Sequence, residues 1–418
     1  MTAVPATEEL VRLPAETKRQ RIIGGAYLVL ALVVARFFAI GSEGDATFRL
    51  GQNPGDLDLT FSAPGLAWVT TAVFAFLAGV HLIRGMEKST NVVLAFALAL
   101  FAFAFLGWAA DGTSFSLLGM LRTTVSAATP IAFGALSGVM CERVAVINIG
   151  IEGMLLTGAF MGAFVGTLAN PLVGILAAMV SGGLLGLGLA VLAVRYRVDQ
   201  IIAGVVINIF ALGLTSYLSS QFLVADSERF NRPGVLTSIR IPVLADIPVL
   251  GPIVFNQNVF VYGLWIVIAA MTYALFRTRW GLRSRAVGEH PKAADTLGIN
   301  VYRMRYFNVM LGGIIAGFGG AYFTLGSVGA FNENMTAGRG FIGLAAMIFG
   351  RWHPVGALGA ALVFGFADSL QVRLGILDVG IPSEFLLMAP YLVTIVVVAG
   401  VVGRARPPAA DGQPYIKE

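Results

Sequence analysis

The chain has 418 residues, of which 57% are hydrophobic and only 12% are charged, and its formal net charge is +5. Soluble domains carry about 25% charged residues, so the composition excludes an ordinary soluble protein and indicates an integral membrane protein. The single cysteine, Cys141, excludes an internal disulfide, three scattered histidines argue against a metal site, and neither a cofactor nor a nucleic-acid partner is expected.

Apolar runs of about 20 residues, the length that crosses the hydrocarbon core, recur along the chain. The candidate spans lie near 22–40, 65–83, 92–110, 116–140, 145–168, 172–194, 200–223, 258–276, 306–326, 338–350, 355–373 and 385–403. Residues 116–168 contain polar and glycine breaks, and 338–350 is short, so these segments either cross fully or re-enter. We expect an all-α polytopic integral membrane protein with about 8–12 transmembrane helices and discontinuous helices in its core.

The distribution of lysine and arginine predicts the orientation, because cytoplasmic loops carry an excess of both. With the N-terminus inside, the inside loops and termini hold 20 basic residues and the outside loops hold 4, while another 4 lie within or at the ends of spans. Both termini are therefore expected in the cytoplasm.

Polarity within the spans divides the chain into three regions. Residues 1–112 contain plain apolar spans and are predicted to be accessory transmembrane helices. Residues 113–403, in which polar residues and glycines occur inside the spans, are predicted to be the working core, and 404–418 a cytoplasmic tail. The polar, proline-containing segment 224–257 is expected to fold over the outer face.

Ionisable residues inside the spans are the first candidates for a substrate pathway, because such residues usually face a protein interior or a watery path. These candidates include Glu152, Arg339 and Asp368. Glycines flank both Glu152 and Arg339, as expected where a helix is interrupted near a transported substrate. Either these two side chains contact substrate, or they pair with each other or with neighbours to brace the fold. Their segments also resemble weak counterparts in two halves of the core.

Two asparagines complete the predicted pathway. Asn148 precedes Glu152 in the same glycine-rich segment, and Asn208 shares a helical face with Gly204 and Ala211. Asn208 is expected either to form an interhelical hydrogen bond or to face the pathway. The glycines between 312 and 320 form a ridge of small residues that predicts close helix packing.

The segment Gly281–Asn300 is a basic, structured loop between apolar runs. It has a short amphipathic helix pattern after Pro291 that ends at Gly298, a residue type that terminates helices. Such a loop predicts a docking surface for a soluble partner. The residues assigned to it are Gly288, Glu289, Lys292, Ala293, Ala294 and Gly298.

Motifs for ATP binding and hydrolytic catalysis are absent from the sequence. It contains no GxxxxGK[ST] phosphate loop, GxSxG elbow or HExxH pair, so a membrane-embedded enzyme is disfavoured. An ion- or proton-coupled secondary transporter is an alternative class, since Glu152 and Asp368 could supply its buried coupling groups. That class of protein does not need the patterned loop.

The chain resembles the membrane permease subunits of ABC importers of the branched-chain amino acid, simple sugar and nucleoside group. The resemblance covers about Thr129–Gly400 and rests on blocks such as GLRSRAVGEHPKAADTLGIN and MTAGRGFIGLAAMIFGRWHPVGALGAALVFGFADSLQVRLG. These blocks look most similar to the nucleoside and simple-sugar branch. Lys292 stands where the family pattern often has Glu, and His290 where relatives often have Asn.

The resemblance implies a permease that forms the translocation pathway, with nucleosides as the expected substrate and simple sugars or branched-chain amino acids as alternatives. It also implies three partners: a cytoplasmic ATPase subunit that carries the nucleotide-binding domains, a second permease subunit in a heterodimer, and an extracytoplasmic substrate-binding lipoprotein. The expected location is the cell inner (plasma) membrane.

Overall fold

The structure is a computed structural model that describes residues 14–51, 56–85, 89–377 and 406–417, with positions 385 and 388. The predicted span 385–403 and most of residues 378–405 lie outside this description. Ten helices in the described part are long and apolar enough to cross a membrane, which confirms the predicted all-α polytopic membrane fold. The chain forms two compact units, one ending at Leu118 and including Ile376 and Leu377, the other beginning at Gly119 and including 406–417.

The first unit contains three long helices and a small sheet. Its elements are α1 (Pro14–Val33, continued by a π-helical turn Val34–Ala39), β1 (Asp45–Arg49), β2 (Asp58–Ser62), α2 (Ala63–Ile83), α3 (Thr90–Ala109) and β3 (Ser114–Ser116). β1 pairs antiparallel with β2 and parallel with β3, a sheet that the sequence analysis did not predict. Aromatic contacts fill the helical core, including Tyr27 on Phe74 and Phe38 on Trp108.

The second unit carries the remaining elements. They are α4 (Leu117–Glu142), α5 (Ile151–Leu168), α6 (Pro171–Ala190, with a π-helical turn Val191–Arg195), α7 (Gln200–Leu218, with Ser219–Val224), α8 (Ser227–Phe230), β4 (Ile239–Arg240), α9 (Leu250–Val254), β5 (Asn256–Gln257), α10 (Val259–Arg277), α11 (Arg279–Glu289), α12 (Pro291–Thr296), α13 (Val301–Ala321, with Tyr322–Val328), α14 (Arg339–Phe349) and α15 (Pro354–Leu377). Local capping fixes many helix starts, since the side chains of Asn170, Asp199, Asn258 and Asn300 accept hydrogen bonds from the first turns of α6, α7, α10 and α13.

Helices α5, α6 and α13 pack against one another through glycines. A Cβ atom on Gly158 of α5 would lie 2.5 Å from the carbonyl oxygen of Gly317 on α13, so a side chain at this crossing would force the helices apart. On α6, Gly186 approaches the backbone of α13 at Val309 in the same way. The predicted packing role of the glycine ridge is therefore confirmed, and this close contact gives the second unit a rigid centre.

Two predicted spans differ from the observed helices. The span predicted over 145–168 is helical only from Ile151, because residues 146–150 leave the helical path. The short span near 338–350 is the 11-residue helix α14, which is too short to cross a membrane as a helix alone. Both differences reflect the same feature, namely a helix that begins at a glycine inside the apolar part of the unit.

Candidate functional site

The chain between α4 and α5 is an extended connection rather than a continuous helix. Ala145 has a positive φ of 61°, and Gly150 occupies the N-cap of α5 without a side-chain cap of its own. The first N–H groups of a helix lack partners within it and need an acceptor from elsewhere. The first turn of α5 therefore needs a hydrogen-bond acceptor from another helix.

Asn208, from the third turn of α7, supplies that acceptor. Its Oδ1 accepts a hydrogen bond of 2.8 Å from the backbone N–H of Gly153, and its Nδ2 donates one of 2.9 Å to the carbonyl oxygen of Ile149. One amide therefore binds the last residues of the extended connection and the first turn of α5. The geometry matches the interhelical hydrogen-bonding alternative for Asn208.

Glu152 performs the same task for α14. Its Oε1 accepts hydrogen bonds from the Thr336 hydroxyl at 2.6 Å and the Gly338 N–H at 2.8 Å, and its Oε2 accepts one from the Gly340 N–H at 2.6 Å. The side chain is only 8% exposed. A carboxylate at a helix N-terminus is favoured by both the free N–H groups and the helix dipole. We call Glu152 and these three donors the Glu152 clamp.

Arg339 does not pair with Glu152, so that part of the bracing alternative is wrong. Its Nη2 lies 3.8 Å from Oδ2 of Asp368 on α15, and its guanidinium lies over the ring of Phe323 at 5.8 Å. The physical reason is local. Arg339 is the first residue of α14, and the N–H groups around it, rather than its side chain, face Glu152. The side chains of Arg339 and Asp368 stay 34% and 21% exposed.

Asn148 lies in a closed environment between α4 and α5. It is fully buried, and its Nδ2 lies 3.5 Å from the Ser137 hydroxyl and 3.4 Å from the Cys141 sulfur. Its Oδ1 has no hydrogen-bond partner in the part of the chain that the structure describes. The predicted pathway residues thus fall into two groups. The side chains of Glu152, Asn208 and Asn148 bind other protein groups, whereas the side chains of Arg339 and Asp368 are partly exposed.

Sequence reasoning missed two polar residues of this region. Gln200 accepts a 2.7 Å hydrogen bond from the Ile147 N–H and so holds the middle of the extended connection. Thr336 belongs to the Glu152 clamp. Neither contact could be predicted from the local sequence, because the partner of Thr336 lies 184 positions away and that of Gln200 lies 53 positions away.

The cytoplasmic-loop prediction is matched in its local structure. α11 is followed by the short helix α12, and Gly298 ends it with a positive φ of 82° while the Ile299 N–H returns to the Ala294 carbonyl. Lys292, Ala293 and Gly298 are exposed.

Two residues assigned to the docking surface, Ala294 and Gly288, face inwards instead, whereas Glu289 is exposed and contacts the C-terminal segment. Ala294 is only 2% exposed and packs in an apolar cluster with Val287 and Val301, because α12 turns this side towards α11 and α13. Gly288 is buried against the backbone of Arg143. Glu289 accepts a hydrogen bond from the Ala409 N–H at 3.2 Å. The assignment of Ala294 and Gly288 to an exposed surface is therefore corrected.

Residues 406–417, which we call the C-terminal strap, cover the inward side of this loop. The Ala410 N–H donates to the Gly288 carbonyl at 3.0 Å, and Nη1 of buried Arg305 donates to the Gln413 carbonyl at 3.1 Å. Burial raises the pKa of Asp411 to about 6, although its hydrogen bonds and nearby Arg305 act in the opposite direction. The strap is thus an ordered part of the second unit.

An anchoring network beside the strap fixes the start of the extended connection. The Trp352 indole N–H donates to Glu142 at 2.5 Å, and the Arg143 guanidinium donates twice to the Trp352 carbonyl, at 2.9 and 2.7 Å. Burial, followed by the charge of nearby Arg285, lowers the pKa of Arg143. These contacts join the end of α4 to the turn between α14 and α15.

With this geometry established, comparison with known proteins identifies the chain. Residues 120–402 match the family described as the permease component of the branched-chain amino acid transport system. The chain belongs to this family. The match leaves out most of the first unit and the strap.

Curated relatives agree with the family. The guanosine ABC transporter permease protein NupQ of Bacillus subtilis is 44% identical over 309 residues, which cover 71% of this chain and 96% of that protein. The nucleoside ABC transporter permease protein NupC of Lactococcus lactis is 42% identical over 299 residues, or 69% and 94% of the two chains. A second guanosine permease protein of Bacillus subtilis, NupP, is 28% identical over 273 residues, or 62% and 76%. No solved structure matches the chain.

Proposed function

We propose that this permease forms the translocation pathway of an ABC importer for nucleosides. The observation that carries the proposal is the 44% identity to a guanosine permease that is matched over 96% of its length. Uptake of labelled guanosine by cells that carry the complete transporter tests the substrate class. Unlabelled nucleosides should compete, while equal concentrations of glucose or leucine should not. Competition by a sugar or an amino acid, without competition by nucleosides, would contradict the assignment.

The proposed pathway wall includes the Arg339–Asp368 pair. The pair is partly exposed, and its separation of 3.8 Å leaves donor and acceptor capacity for the hydroxyls and base of a nucleoside. Phe323, which is buried, supports the guanidinium of Arg339 from beneath at 5.8 Å. Glu152 and Asn208 act behind this wall, where they hold the starts of α14 and α5, and Asn148 is buried between α4 and α5.

An ATPase subunit is the proposed partner of α12. Leu297, beside the end of this helix, is 82% exposed although it is large and apolar, and Ala293 is exposed next to it. An apolar position within a basic, structured loop suits the centre of a protein interface. The ATPase would supply the ATP hydrolysis for which this sequence has no motif.

Ala293 and Ala294 provide a matched test of ATPase docking. Glutamate at exposed Ala293 should leave the abundance of the permease unchanged and lower the co-purified ATPase about tenfold, the equivalent of about 1.4 kcal/mol. Glutamate at buried Ala294 should instead lower abundance, because an unpaired charge would enter an apolar cluster. Normal ATPase binding by the Ala293→Glu variant would contradict this docking site.

Two further partners belong to the proposal. NupP and NupQ are two guanosine permease proteins of the same organism, and both are similar to this chain. This supports a heterodimer with a second permease. An extracytoplasmic substrate-binding lipoprotein would deliver the nucleoside. Purification of the tagged permease from its own cells should recover both, and recovery of a permease homodimer alone would contradict the heterodimer.

The proposed location is the cell membrane with both termini in the cytoplasm, supported by the ratio of 20 to 4 basic residues in the two sets of loops. Single cysteines placed at Asp56 and Arg232 should react with an impermeant maleimide in intact cells. A cysteine at His290 should react only after the cells are opened. Replacing Cys141 with Ala removes the background thiol, and labelling at His290 in intact cells would overturn the orientation.

A further inference from the structure

The C-terminal strap contacts the end of α11 and also Asp295 of the proposed docking helix α12. At one end, the Ala410 N–H binds the Gly288 carbonyl and the Ala409 N–H binds Glu289, so the strap holds the end of α11. At the other end, the Lys417 ammonium lies 3.5 Å from Asp295 of α12. The strap therefore brackets the loop that would receive the ATPase.

The far end of the strap is anchored on α13 as well. Tyr415 is buried, and its ring lies 5.3 Å from the ring of Tyr302, whose hydroxyl accepts a hydrogen bond from the Lys417 N–H at 3.3 Å. Burial of an aromatic ring contributes more to such an anchor than the exposed charge pair does. Tyr415 is therefore the main anchor of this end.

The middle of the strap touches the extended connection before α5. Gly412 has a positive φ of 74°, and a Cβ atom at this position would lie 2.8 Å from Cδ1 of Ile147. The Ile147 N–H in turn binds Gln200. Five residues after Ile147, the chain reaches Glu152 and its clamp on α14. Ala294 of α12, Tyr415 of the strap and Val146 of the connection also belong to one buried apolar cluster, so contacts link α12, the strap and this connection.

We infer that the strap is a coupling element, which passes movement of α12 to the extended connection and the Glu152 clamp. The inference rests on the proposed function, because the docked ATPase supplies the movement. Close-packed contacts transmit displacement because they cannot absorb it, and the strap contacts both α12 and the extended connection. Tyr415, Gly412 and Lys417 are then positioning residues for transport, although none of them is placed in the substrate pathway.

Tyr415 provides the main test, performed on the complete transporter in proteoliposomes. The readout is the number of guanosine molecules imported per ATP hydrolysed, measured with the abundance of the complex and its ATPase content. Tyr415→Ala should keep the ATPase bound and active and lower the ratio about fivefold or more, the range of a typical coupling free energy. Tyr415→Phe, which keeps the ring, should restore most of the ratio.

Two more variants make the result decisive. Ile416 is 53% exposed beside Tyr415, so Ile416→Ser is the matched control and should leave the ratio unchanged. Lys417→Glu reverses an exposed charge opposite Asp295 and can be measured even where Tyr415→Ala fails to fold. It should lower the ratio only about twofold, because an exposed ion pair contributes little free energy.

The outcomes separate this inference from the proposed function. An unchanged ratio in Tyr415→Ala, or in Lys417→Glu where Tyr415→Ala fails to fold, would overturn the coupling role of the strap while ATP-driven guanosine import stands. Loss of the bound ATPase in Tyr415→Ala would also overturn it, because the strap would then be part of the docking site. Absence of ATP-dependent guanosine import in the unmodified complex would overturn the proposed function itself.

Discussion

Glu152 and the Arg339–Asp368 pair, all beside the start of α14, differ in how completely other protein groups fill their hydrogen-bonding capacity. Glu152 is almost fully buried and accepts three hydrogen bonds of 2.6–2.8 Å from a hydroxyl and two backbone N–H groups. Arg339 and Asp368 are partly exposed and stand 3.8 Å apart. A buried charge whose bonding capacity is filled braces a fold, whereas a partly open pair retains capacity for a ligand. Charge inside a membrane span therefore does not by itself identify a substrate contact.

The largest effect is expected for Glu152→Gln. The amide keeps one acceptor oxygen but turns an NH2 group towards a backbone donor, which leaves a buried N–H group without a partner at a cost of about 1–3 kcal/mol. The loss of charge-assisted bonds adds to this cost. We expect clearly reduced abundance and a lower melting temperature of the purified protein. Normal abundance with lost uptake would show instead that Glu152 acts on substrate.

A reciprocal exchange sharpens this result. Glu152→Arg combined with Arg339→Glu would restore abundance if the two side chains formed a pair. Glu152 accepts hydrogen bonds from the Thr336 hydroxyl and from backbone N–H groups. An arginine at this position has no acceptor atom and cannot bind these donors. We therefore expect the double variant to be no more abundant than Glu152→Arg alone, and recovery would contradict the clamp.

Arg339→Gln and Asp368→Asn should give the opposite pattern. Both residues are partly exposed, so abundance and assembly should stay near those of the unmodified protein. Hydrogen bonds to charged groups contribute about 1.5–3 kcal/mol, so loss of one such contact to substrate should lower uptake about tenfold or more. Guanosine uptake normalised to the amount of permease measures this. Unchanged normalised uptake would remove the pair from the pathway.

Asn208→Ala should have a smaller effect on stability than Glu152→Gln. It removes a neutral acceptor from the first turn of α5 and a donor to Ile149, and loss of a helix cap costs about 0.5–2 kcal/mol. The melting temperature should fall by less than for Glu152→Gln, and Asn208→Asp, which keeps an acceptor for Gly153, should recover part of it. A fall larger than that of Glu152→Gln would contradict this order.

The smallest effect is expected at Asp411 of the strap, which has no comparable set of donors. Its pKa in the folded protein, about 6, is above the ordinary value, so the protonated form favours the docked strap. This contribution is fully present below the ordinary pKa and is lost as the pH rises through about 6. Two ionisable groups act on Asp411, and both lower its pKa: Glu142 through a hydrogen bond and Arg305 through its positive charge. Strap amides should exchange hydrogen more slowly in Asp411→Asn than in the unmodified protein at pH 7.5, with little difference at pH 4.

Local patterns predicted where helices break but not what holds the broken ends. Glycines beside Glu152 and Arg339 indicated two helix starts, and Gly298 indicated the end of α12, because backbone conformation depends on neighbouring residues. The partners of Glu152 are about 185 positions away, and spacing carries no information about such contacts. For the same reason, the sequence could not show that Ala294 faces inwards while Ala293 is exposed.

The strap shows a similar limit. Its sequence, with three prolines and several small residues, is typical of a loose tail. The strap is ordered instead by contacts with other elements. These contacts include the Gly288 carbonyl, the Arg305 guanidinium and the apolar surface around Tyr302. None of these can be recognised as a partner of the tail without the positions of α11 and α13.

ATP-dependent import by Asp368→Asn, compared with the unmodified complex, tests the central claim most directly. Proteoliposomes with the ATPase accessible to added ATP, and with ionophores present, are supplied with labelled guanosine and the substrate-binding partner. The account predicts import that requires ATP and persists without an ion gradient, and at least about tenfold slower import by an equal amount of Asp368→Asn complex. Import that follows an ion gradient without ATP, or that proceeds at the same rate in Asp368→Asn, would contradict it.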